Sequence, residues 1–80
     1  MNIYGYSKKG KKLKKLREVT FECSISELER IIDFLVSVNA EHKAVAGETE
    51  YCHSHYRDWE KKWIQGSPDI IVVTKFNSSS

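Results

Sequence analysis

The sequence is short of cysteine, proline and glycine, with two, one and four of them in eighty residues, and each scarcity excludes something. Cys23 and Cys52 are too few to staple a secreted mini-protein, so in a reducing compartment both are expected to act as small buried hydrophobes rather than as a disulfide. No apolar run approaches the roughly 20 residues that span a bilayer, which argues against a membrane protein. The opening stretch, MNIYGYSKKGKKLKKL, places its basic residues after its apolar ones and has no apolar segment before a small-residue cleavage site. It does not read as a secretion signal, and the expected address is cytoplasmic. Internal repeats are absent, and the only compositional bias is one run of lysines.

Acidic residues are missing from one end of the chain. Residues 1–17 carry seven basic groups and no acid, whereas residues 18–80 carry six basic against eleven acidic ones, so a formal net charge of +2 conceals a basic end and an acidic body. The apolar share of 40% and charged share of 30% are those of a soluble globular domain, and eighty residues leave room for one modest core. A single domain over residues 1–76 is expected, with NSSS at 77–80 a frayed tail.

Periodicity orders the elements. Ile3, Tyr4 and Tyr6 suit a strand over Asn2 to Ser7, and SKKGKK after it suits a hairpin loop whose glycine can take a left-handed turn. From about Lys14 to Cys23 the alternation is clean: Val19, Phe21 and Cys23 on one side, Glu18, Thr20 and Glu22 on the other. SISE then predicts a helix, with Ser24 as N-cap and Glu27 completing a capping box. Leu28, Ile31, Ile32, Leu35 and Val36 form its apolar stripe, and the helix runs to about Val45 before Gly47 stops it. Glu48 to Tyr56 reads as a third strand and Asp69 to Phe76 as a fourth, with a long structured loop ending at Pro68 between them. Apolar character on both faces of the last strand suggests an interior position. The expectation is an α+β fold of order β-β-α-β-β: a four-stranded antiparallel sheet with one helix on one face, Phe21 and Leu35 at their interface, and the other face open.

The densest stretch of chemistry is YCHSHYRDW, residues 51–59. Alternation sets Tyr51, His53 and His55 on one face and Cys52, Ser54 and Tyr56 on the other, the two histidine Cα atoms about 7 Å apart. Cys52 therefore cannot form a catalytic pair with either neighbouring histidine, because adjacent strand residues point apart. Two histidines spaced this way can offer two imidazoles to one metal ion, with Asp58, Glu18 or Glu22 as a further ligand. A structural zinc site needs four ligands and a catalytic one usually three, so no metal and no cofactor are expected. In the simpler reading His53 and His55 are polar residues of a half-exposed sheet face, one of them oriented by Asp58. Lys8 to Lys15 would attract phosphates, but the run has no interleaved aromatics and the body is acidic, so nucleic acid is not the expected partner. Of the two tryptophans in the loop, one is expected in the core and the other as a contact anchor.

IYGYS, LREVTFECSISELERIIDFL, HSHYRDW and PDIIVV, in that order and spacing, resemble the Immunity protein 32 family, small bacterial proteins encoded beside polymorphic toxins. The pattern H-x-H-x-x-D, carried by His53, His55 and Asp58, and the run Pro68 to Val72 are its most specific parts, while Cys52 and the lysine run depart from it. The resemblance implies a binding protein, not an enzyme, that neutralises a cognate toxin by occlusion. Neither a membrane nor a small-molecule substrate is expected. The docking residues expected from the open face and the loop are Glu18, Glu22, His53, His55, Asp58 and Trp59. The alternative is a metal-binding protein or small metal-dependent enzyme using His53, His55 and Asp58.

Overall fold

The computed structural model describes residues 1–76, and the expected tail at 77–80 lies outside them. The fold is α+β, with elements in the order β1 (Ile3–Gly5), β2 (Lys14–Leu16), α1 (Ile25–Val45), β3 (Tyr51–His55), α2 (Tyr56–Trp59) and β4 (Ile71–Lys75). The strands do not form one four-stranded sheet. They form two antiparallel pairs, β1 with β2 and β3 with β4, so the last strand is not an interior one.

The helix follows its sequence closely. Ser24 is extended and its hydroxyl accepts from the Glu27 amide at 3.1 Å, while the Glu27 carboxylate accepts from the Ser24 amide at 2.8 Å. Such a box contributes about 0.5–2 kcal/mol and sets where the helix begins. Both Ser24 hydrogen bonds, the amide's first, hold the Glu27 carboxyl below the usual range. His42 and Lys43 lie in the last turn, and Gly47 follows at φ 90°, a conformation that ends the helix at little steric cost.

The face that α1 buries is not the predicted one. Phe34, Val38 and His42 are buried, at spacing i, i+4, i+8, and Ile31 and Val45 flank them half-buried. Leu28, Ile32, Leu35 and Val36 stay exposed. The two stripes lie side by side around the helix, and the large ring of Phe34 decides between them. It meets Tyr56 edge-to-face at 5.3 Å and Trp59 at 5.7 Å, so the short helix α2, folded directly after β3, closes the core on that side. His42 ties the other end of α1 to both strands, with Nδ1 2.7 Å from the Thr74 hydroxyl and Nε2 3.0 Å from that of Ser54. Hydroxyls donate or accept as needed, so both ring nitrogens are satisfied in either tautomer.

The second predicted strand is cut short. β2 ends at Leu16, and residues 17–23 run on without a strand partner, leaving Val19, Phe21 and Cys23 exposed. Phe21 and Leu35 therefore do not form a sheet-helix interface. Alternation creates a strand only where it meets an edge to pair with, and this segment pairs with neither β3 nor β4. The hairpin turn also differs from expectation: Gly10 does not adopt positive φ, and its amide donates to the Ser7 carbonyl at 3.0 Å.

Candidate functional site

β3 and β4 pair in the register Tyr51 with Lys75, His53 with Val73 and His55 with Ile71 on one face, and Cys52 with Thr74 and Ser54 with Val72 on the other. The second set turns toward α1 and is half-buried, which places Cys52 on the core side. On the outward face Tyr51, His53, Ile71 and Val73 are exposed. This open face is largely apolar, with His53 in its middle and Lys75 at one end, where the sequence suggested a polar surface.

His55 is fixed in place. Its Nδ1 donates to Asp69 Oδ2 at 2.7 Å, and Asp69 Oδ1 accepts from the backbone amides of Arg57 at 2.8 Å and Ile70 at 2.9 Å. Burial pushes the Asp69 carboxyl up, but the His55 hydrogen bond and the two amides outweigh it and hold it below the usual carboxylate range. The expected orienter was Asp58, and the structure corrects this. α2 begins at Tyr56 and carries Asp58 away on a helical turn, exposed and 3.9 Å from Arg57. Antiparallel pairing instead brings Asp69, two residues before β4, alongside His55, with the Tyr56 amide bonded to the Ile70 carbonyl at 2.8 Å. The register alone carries this signal once the two strands are paired. The His53 ring stands at 5.6 Å from that of His55, nearly perpendicular to it.

A cleft of about 360 Å³ opens between α1 and β3. Ser37, Glu41, His53, Ser54, His55 and Asp58 supply its polar walls, and Phe34, Val38 and Trp59 its apolar ones. Of the six sequence-predicted site residues, His53, His55, Asp58 and Trp59 come together here. Glu18 and Glu22 do not line it: they lie exposed on the unpaired 17–23 segment, with Glu18 3.7 Å from Arg17. Trp59 is half-buried and also serves the core, with the Arg30 guanidinium 4.6 Å from its ring centre. Trp63 donates from its indole N–H to the Pro68 carbonyl at 2.9 Å and braces the loop before β4.

Sequence reasoning missed Arg30, His42, Glu60 and Asp69. Glu60, buried beneath α2, accepts from Arg30 Nε at 2.7 Å, the Lys62 amide at 3.2 Å and the Tyr56 hydroxyl at 3.4 Å. The Arg30 guanidinium, and after it the Lys62 amide, holds the Glu60 carboxyl below its usual value. Burial and then the nearby Glu60 charge push the Tyr56 hydroxyl up. These groups brace α2 against α1.

Among the described residues no group of three or more His, Cys, Asp or Glu side chains is placed to hold a metal ion. Ser54, His42 and Thr74 stand in the order of a nucleophile, a base and an orienting group, but His42 does not line the cleft and a threonine hydroxyl cannot stabilise an imidazolium as a carboxylate does. No helix of the described residues is long and apolar enough to cross a membrane. Comparison with protein-family models, curated proteins and solved structures gives no match.

Proposed function

We propose that this chain is a binding protein that neutralises a cognate bacterial toxin by occlusion, docking through the outward face of β3 and β4. The observation that carries this reading is the composition of that face: Tyr51, Ile71 and Val73 exposed around His53, on two strands backed by a buried core. An aromatic and two aliphatic side chains on a backbone already ordered supply contact area at low entropic cost, and they form the centre of a protein interface better than a site for a small substrate. His55 and Asp69 fix the end of the face, and Asp58 and Glu41 at the cleft give its rim negative charge. Acidic groups at a rim raise the association rate with a basic target such as a nuclease cleft. The sequence resemblance to the Immunity protein 32 family supports the same reading.

The test is co-expression with the product of the adjacent gene, followed by affinity measurement on purified proteins. A stable complex with the parent chain is expected, and Val73→Asp should weaken it by at least about 100-fold, the effect of a desolvated charge at an interface centre. His53→Ala should weaken it by about tenfold. If both variants bind as the parent does, the docking face lies elsewhere on the molecule.

A further inference from the structure

The molecule has more surface than its size requires. A compact monomer of 9.3 kDa exposes about 5,000 Å², whereas this chain exposes 7275 Å². Its radius of gyration is 14.0 Å, against about 11.6 Å for eighty compact residues. Two uncovered apolar surfaces contribute to the excess. One is the stripe of α1 formed by Leu28, Ile32 and Leu35, and the other is the segment 17–23, with Val19 and Phe21 exposed. No hydrogen bond or ion pair among the described residues joins residues 1–23 to the rest of the chain.

We infer that the chain forms a two-fold homodimer by exchange of residues 17–23, each copy laying Val19, Phe21 and Cys23 over the Leu28, Ile32 and Leu35 stripe of the other copy's α1. Four observations select a second copy as the occupant. The segment has strict strand alternation but no strand partner among the described residues, and its apolar side matches a helix stripe that is itself uncovered. Only Ser24 separates Cys23 from the helix, fewer than the about two to six residues a strand needs to turn back beneath its own helix. The charges are complementary: the basic end, with seven cations and no acid in residues 1–17, would lie against a body with eleven acidic and six basic groups. Finally, the surplus surface of each chain is more than the ~800 Å² per partner that a stable interface takes.

The inference does not rest on toxin binding, because its readout is self-association.

Sedimentation equilibrium of the full chain at about 10 to 500 μM tests it, together with nuclear Overhauser spectra of a sample mixing isotope-labelled and unlabelled chains. The parent should sediment at twice the 9.3 kDa chain mass, with interchain contacts from the Phe21 ring to the Leu28, Ile32 and Leu35 methyls. Phe21→Asp, in a segment outside the core, should sediment as a folded monomer with unchanged helical circular dichroism. Association of the parent should weaken as salt is raised. A parent that stays monomeric overturns the inference, as does a monomer whose Phe21–Leu35 contacts are within one chain. A dimer whose interchain contacts run only between helices, and which survives Phe21→Asp, overturns it too.

Discussion

The N-terminal hairpin pairs three residues on each strand and no helix or strand packs on it extensively, whereas the β3–β4 hairpin pairs five and is backed by α1 and α2. Both are antiparallel, and the first is followed by residues 17–23, which have high strand propensity. The difference is what lies against them. A two-stranded hairpin is marginal in water unless a face is buried, and only β3–β4 has Phe34, Val38 and His42 to bury it. The comparison teaches that alternation proposes a strand and a packed layer completes it.

The largest effect expected on this contrast is at Phe34, the one fully buried large side chain among the described residues. Phe34→Ala should cost about 3–5 kcal/mol in urea unfolding, a large part of the stability of so small a domain. A loss below about 1 kcal/mol would mean that the body is not organised around this ring. Next comes His42→Ala, which strips the Ser54 and Thr74 hydroxyls of their shared partner and opens a cavity between helix and strands. A cost of about 2–3 kcal/mol is expected.

Asp69→Asn should cost about 1–2 kcal/mol at neutral pH through the weakened His55 and amide hydrogen bonds, and its pH profile is the sharper measurement. Because the Asp69 carboxyl is held below its usual range, its contribution is fully present above the unfolded carboxylate value near 4 and is lost as pH falls through the lower, folded value. Melting temperatures between about pH 6 and pH 2 should therefore fall more steeply for the parent than for Asp69→Asn, the two curves converging in acid. Parallel curves would remove the pair from the acid response. Glu60, also held low by Arg30, contributes in the same direction and leaves a residual acid dependence in the variant.

In the basic arm the effects should be small. Phe21→Ala, measured by circular dichroism at protein concentrations low enough to keep chains apart, should change stability by less than about 1 kcal/mol, because the ring is 53% exposed. A body-sized loss at that dilution would show that the arm packs on its own chain. Smallest of all, replacing Lys8, Lys9, Lys11 and Lys12 with serine should shift unfolding by less than about 0.5 kcal/mol, as solvated lysines in a turn contribute little.

Local features were legible in the residues alone. The N-cap at Ser24 with Glu27, the extent of α1, and the placement of His53 and His55 on one strand face follow from residues within a few positions of one another, where geometry leaves few choices. Pairing across distance depended on the fold. Two apolar stripes compete on α1, and the choice between them fell to the aromatic contacts of Phe34 with Tyr56 and Trp59, beyond the reach of helical periodicity. Asp69 rather than Asp58 holds His55 because a helical turn interrupts the chain at Tyr56 and strand register brings residue 69 back to it. The segment 17–23 carries the same alternation as a paired strand and stays unpaired, because strand pairing is a property of two edges and the sequence of one edge specifies only half of it.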